Sequence, residues 1–282
     1  MTMLNFTELH PRGLSGSLWS GFAPPSGGGF ERTASGNPAF GFFDDFLKVG
    51  GTSVADGYGR IQTGTGTVAQ VQSTAHTVAG DVVGSHGVER LYGTADDDES
   101  ILAYGAALDA PFKLITTDLC FECRVAWSSI AADAHGQFIG LGELGSCVTL
   151  KVFTAADPPI FATDYDFLGF RRLQGETSAL DGFYQVGGQT LADGASNTDL
   201  DTLHTIVAAE YVKLGFRFRA ADKTIHWFVN GVEDKAAMLK IDGLTAGTFP
   251  DDNFMTPTAA QQCDGTAANS FDIDWWACAQ ME

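Results

Sequence analysis

Basic residues are scarce in this chain of 282 residues: 16 Lys and Arg stand against 35 Asp and Glu, a formal charge of −19. Nucleic-acid phosphates demand Lys and Arg, so this balance argues against nucleic acid as a partner. A soluble, self-repelling surface accounts for the charge equally well. Long apolar runs are missing too. No window approaches the ~20 apolar residues of a membrane span, and the first residues, MTMLNFTELHPRGLSG, lack the basic stretch and apolar core of a secretion signal. These absences predict a chain made and kept in a cytoplasm, with no membrane partner. Cysteine is sparse as well. Its count of five is odd and cannot pair fully within one chain, so buried thiols are expected in place of a disulfide framework. Windows with apolar residues at helical spacing are nearly absent, which removes helical bundles from the fold classes available.

What the sequence does contain is alternation. The 34 glycines and the many Thr, Val, Phe and Asp residues suit short strands joined by turns. In Glu210–Asp234, Val212, Leu214, Phe216 and Phe218 alternate with Lys213, Arg217 and Arg219, and Ile225, Trp227 and Val229 repeat the pattern. A half-buried strand needs that period of two, because successive side chains point to opposite faces of the pleat. Ala220–Lys223 closes the pair as a hairpin, and Asn230-Gly231 supplies the positive φ angles of a tight turn into Val232–Asp234. The outward Lys213, Arg217 and Arg219 form a basic stripe, a solvated face or a contact for an acidic partner.

Residues 1–40 hold four of the nine prolines, the triplet Gly27-Gly28-Gly29 and isolated bulky groups: Phe6, Leu18, Trp19, Phe22, Phe30 and Phe40. Such a segment cannot build a core alone and is expected to lie along a surface, its own or a neighbour's, as an extended arm whose bulky groups bind the partner. The body, 41–282, opens on the aromatic strand Phe42–Phe46. Further strands are expected at Ser100–Tyr104, Phe112–Ile115, Leu119–Trp127, Gln137–Glu143, Val148–Phe153, Phe167–Leu173 and Ser270–Cys278, with loops over Asp181–Thr202 and Phe249–Gly265. This spacing predicts one all-β domain, a sandwich or barrel.

Motifs for chemistry are few. The retaining-glucanase run E-x-D-x-x-E, which sets two carboxylates about 5 Å apart, is absent. Asp272 and Asp274 share a strand face before Trp275-Trp276 without matching it. Cys120 and Cys123 make a C-x-x-C, but mid-strand, so the thiols face opposite ways and zinc is not expected. The acidic run Asp96–Glu99 lacks the spacing of a calcium loop and reads as a solvated turn. The histidines, His10, His76, His86, His135, His204 and His226, stand at no ligand spacing, and no G-x-S-x-G elbow occurs. No cofactor, metal or catalytic residue is therefore assigned. Trp127, Trp275, Trp276 and Tyr184 are candidates for sugar platforms, with core packing the bland alternative.

Leu214–Phe218, Trp227–Gly231 and Ile273-Asp274-Trp275-Trp276, in that order, resemble the concanavalin A-like lectin/glucanase jelly roll. The resemblance implies an antiparallel jelly-roll β-sandwich and says little about activity. The arm ending in Gly41–Phe46, joined to such a sandwich, also resembles capsid decoration, or cement, proteins of tailed bacteriophages. That second resemblance implies a non-enzymatic virion protein on the outer capsid surface, assembled in the bacterial host cytoplasm. It also implies the major capsid protein as partner and a homo-oligomer, a trimer foremost. The alternative is a carbohydrate-binding, lectin-like module or, further off, a glycan hydrolase.

Overall fold

Two antiparallel sheets pack face to face because nearly every strand carries one apolar face. The computed structural model describes residues 14–19, 25–26, 29–30, 39–44, 58–62, 67–72, 87–93, 98–104, 112–130, 135–143, 152–153, 161–162, 164–173, 178–187, 199–237, 239–240, 249–263 and 269–281. In chain order the strands are β1 (Pro25–Ser26), β2 (Gly29–Phe30), β3 (Ala39–Asp44), β4 (Tyr58–Gln62), β5 (Thr67–Gln72) and β6 (Gly87–Gly93). Next come β7 (Asp98–Tyr104), β8 (Leu119–Trp127), β9 (His135–Glu143), β10 (Phe167–Arg172), β11 (Ala179–Gln185) and β12 (Asp199–Thr205). The last are β13 (Val212–Arg219), β14 (Thr224–Val229), β15 (Val232–Glu233), β16 (Leu239–Lys240), β17 (Met255–Cys263) and β18 (Asn269–Met281).

One sheet has seven strands in the order β12-β11-β10-β9-β17-β7-β4. The other has nine, ordered β15-β14-β13-β8-β18-β6-β5, with β16 beside β14 and β3 beside β18. β18 is long enough to pair with β6 over Asn269–Ile273 and with β3 over Trp276–Met281 along a single edge. The expected boundary at residue 40 thus falls inside β3, and β1–β2 is a separate two-stranded hairpin.

Phe121 stacks on Phe216 at 5.2 Å, Phe216 touches Trp227, and Trp227 meets Phe170 of the opposite sheet edge-on at 5.2 Å. Fully burying rings of this kind contributes about 1.5–3 kcal/mol each, and this bridge ties the two sheets together. The meander has the register that alternation predicts: Phe216 lies opposite Trp227, and Asn230 and Gly231 adopt φ angles of 50° and 78°.

Three expectations are corrected. Phe112–Ile115 makes only an isolated bridge, Phe112 to Met255. The segments expected as loops hold β11, β12 and β17. β17 contains Pro257, which is tolerated because only β9 pairs with it there, the ladder to β7 beginning at Thr258. Most of Val148–Phe153 lies outside the described residues. Among the described residues no helix is long and apolar enough to cross a membrane.

Candidate functional site

The outer face of the nine-stranded sheet is where the N-terminal segment docks. Leu14–Trp19 forms a turn closed by Trp19 N–H donating to Ser15 O at 3.0 Å. Its socket is Glu122, which faces outward from β8 yet is only 1% exposed. The Glu122 carboxylate accepts from Ser15 N–H at 2.9 Å, from the Ser15 hydroxyl, and from Trp19 Nε1–H at 2.7 Å. Burial pushes this carboxyl up, and the three donors and Lys213 oppose that push. Leu18 fills the space above Gly215, where a Cβ would lie 2.3 Å from Leu18 Cδ1. Leu14, Leu18 and Trp19 thereby join Cys120, Phe228, Trp275, Ala277 and Ala279 in a second apolar cluster. Of the arm residues singled out by sequence, Leu18 and Trp19 are thus buried against the chain's own sheet. Phe30 and Phe40 lie in β2 and β3, and Phe6 and Phe22 fall outside the described residues.

Beside this turn the same face opens into a cleft of about 440 Å³, lined by Ser17, Asp118, Arg217, Arg219, Ala221, His226, Phe228 and Glu233. The β13–β14 hairpin supplies most of it, because residues that alternate with Phe216, Phe218 and Trp227 must point away from the core. Arg217 donates to Asp118 Oδ2 at 2.9 Å, and Asp118 Oδ1 accepts from Ala220 N–H at 3.0 Å. Arg219 pairs with Asp222 at 3.2 Å. His226 Nδ1 lies 2.6 Å from Glu233 Oε1 and Nε2 lies 3.0 Å from Thr224 Oγ1, whose hydroxyl donates to Asp222 Oδ1 at 2.6 Å. Ser17 donates to Gly231 O at 2.6 Å, so the docked turn forms one wall of the cleft. Chemically, the cleft offers planar donors and acceptors side by side and one hydrogen-bonded histidine–carboxylate pair. Sequence reading identified the basic stripe but missed Asp118, His226 and Glu233. The available signal was the Asn230-Gly231 turn, whose register returns Glu233 opposite Phe228, two positions along the strand from His226 and on the same face.

Other candidates carry less. Asp272 and Asp274 reach the outer face across a bulge, each 2% exposed, and pair with Arg90 at 2.7 Å and Arg124 at 2.5 Å. Cys120 joins the outer cluster while Cys123 and Cys278 join the core, so the C-x-x-C does divide between faces, and burial pushes all three thiols up. Among the described residues no group of three His, Cys, Asp or Glu is placed to hold a metal ion. Trp127, Trp275, Trp276 and Tyr184 are all buried, so none is a surface platform. Glu99 departs from the solvated turn expected for it. It accepts from Val152 N–H and Phe153 N–H, both at 3.0 Å, and burial pushes its carboxyl up to about 8.

The chain matches no family model and no curated protein sequence. Among solved structures it is similar to an endo-1,3-β-glucanase from Streptomyces sioyaensis, 11% identical over 93% of this chain and 100% of that one, with a TM-score of 0.52. An endo-β-1,4-glucuronan lyase from the fungus Trichoderma reesei is 10% identical over 84% and 94% of the two chains, with a TM-score of 0.52. A protein of unknown function from Shewanella oneidensis MR-1 is 14% identical over 89% and 90%, with a TM-score of 0.51. These likenesses establish the fold as the concanavalin A-like jelly roll. They lend no support to the capsid-decoration half of the sequence resemblance. They also correct the expectation of a non-enzymatic chain, since two of the three neighbours are glycan-degrading enzymes built on this sandwich.

Proposed function

We propose that this concanavalin A-like jelly roll is a glycan-binding domain that takes a saccharide segment in the cleft between the β13–β14 hairpin and the docked N-terminal turn. The observation that carries the reading is the cleft's make-up: Asp118, Arg217, His226 and Glu233 converge within about 440 Å³ on the outer face of the nine-stranded sheet. Sugar hydroxyls both donate and accept, and fixed carboxylates beside guanidinium and imidazole groups satisfy both roles. Ion pairing within the protein holds these side chains in place, which lowers the entropy lost on binding. The glucanase and the glucuronan lyase of the same fold act on glycan chains, which supports a saccharide as the occupant. Binding to an array of neutral and acidic oligosaccharides tests the reading. Capture of at least one glycan class, lost in His226→Ala, is expected, and an array with no ligand refutes it.

A second reading, glycan cleavage, is favoured by the His226–Glu233 pair at 2.6 Å, a proton donor and acceptor held together at the cleft. Release of reducing ends or of unsaturated sugar products from a bound polysaccharide separates cleavage from binding alone.

A further inference from the structure

The β13–β14 hairpin that supplies most of the cleft concentrates basic residues on an acidic protein. Four of the sixteen Lys and Arg residues, Lys213, Arg217, Arg219 and Lys223, fall within a single hairpin of a chain whose formal charge is −19. The hydrogen bonds around His226 set an acceptor at each ring nitrogen. Thr224 gives its one hydroxyl proton to Asp222, so toward His226 Nε2 it can only accept. Glu233, as a carboxylate, can only accept from Nδ1. When the imidazole is protonated, both ring nitrogens can donate, and His226 then pairs with Glu233 as an ion pair. The Asp222 carboxyl is held below its ordinary value by the Thr224 hydroxyl first and then by the Arg219 charge. Arg217, Arg219 and the His226 imidazole then line the cleft beside two carboxylates, Asp118 and Glu233.

The cations differ in how firmly they are held. Arg217 lies across from His226 in the sheet register, and its partner Asp118 is anchored a second time by Ala220 N–H. Among the described residues Arg219 pairs across the turn with Asp222, with both side chains more than 40% exposed (44% and 42%). An exposed pair of that kind is worth about 0–1 kcal/mol, so a ligand anion can draw Arg219 away from it.

We infer that the cleft takes an acidic glycan, one whose sugars carry carboxylates, and that Arg219 is the side chain that meets the carboxylate. This inference rests on the glycan reading above. Isothermal titration of the full chain with polyglucuronate, a neutral β-1,3-glucan and dextran sulfate tests it, with Arg219→Gln as the variant. The expected result is polyglucuronate binding about tenfold tighter than the neutral glucan, weakened by salt, and about tenfold weaker in Arg219→Gln, whose affinity for the neutral glucan is unchanged. Equal binding of the neutral and acidic chains overturns the inference while leaving the glycan reading in place, as does an Arg219→Gln variant that binds polyglucuronate normally. Dextran sulfate binding as tightly as polyglucuronate overturns the carboxylate assignment. Failure of every glycan to bind defeats the glycan reading itself. Since Arg219 is exposed, an unchanged Tm is the control that the variant folds.

Discussion

The outer faces of the two sheets are treated in opposite ways. On the seven-stranded sheet, Phe138, Phe167 and Phe183 are roofed by Val152, Phe153 and Phe161, with Ala162 N–H bonded to Val152 O at 2.9 Å. Five phenylalanines meet there at centroid distances of 4.7–5.8 Å, and Glu99 is buried beneath the roof. That face has become a third core. Among the described residues, the nine-stranded face is covered by the Leu14–Trp19 turn, and beside that turn it opens into the polar cleft. A β-sandwich can spend an outer face on stability or on a ligand, and under the proposed function this chain does one on each side.

The largest effect is expected from opening the sealed face. Phe138→Ala should destabilise the domain by about 3–5 kcal/mol in chemical denaturation while leaving glycan affinity intact. A cost near zero would mean that the aromatic roof is not packed. Glu99 sharpens the same side through pH. Its folded carboxyl titrates at about 8 against 4.5 in the unfolded chain, so the unfolded state binds fewer protons between those values. Stability should therefore fall as pH rises from about 4.5 through about 8, by a few kcal/mol in total, and Glu99→Gln should flatten that slope. A parallel pH dependence in wild type and variant would contradict the assignment.

On the open side, Glu122→Ala leaves the Ser15 and Trp19 donors without their acceptor, a loss of about 1–3 kcal/mol. Trp19 fluorescence should shift to the red as the turn lifts, and the cleft should lose affinity because Ser17 is one of its walls. An unshifted spectrum would show that the turn is held by Leu18 packing alone. Arg219→Gln sits at the bottom of the scale, with stability expected to change by no more than roughly 0.5 kcal/mol.

The difference between the two faces also explains what could be read from the sequence. β8 and the β13–β14 hairpin were legible because their inner residues are large and their turns are chemically explicit, Asn230-Gly231 above all. β17 was not legible. Thr258, Ala259, Ala260 and Gln261 are small or polar, yet all are buried in the middle of a sheet, and Pro257 argues against a strand unless the pairing is known. Glu122 and Asp118 look like ordinary surface acids until partners 107 and 99 positions away are brought to them. Alternation therefore revealed which side chains point outward. Which outward face is then roofed, and by what, is set by contacts far apart in sequence.

Hydrogen–deuterium exchange with and without a bound acidic oligosaccharide compares the two faces in a single experiment. The account predicts new protection over residues 213–233 and 14–19, with exchange at 152–153 and 161–162 unchanged. Protection confined to the roofed seven-stranded face would contradict it.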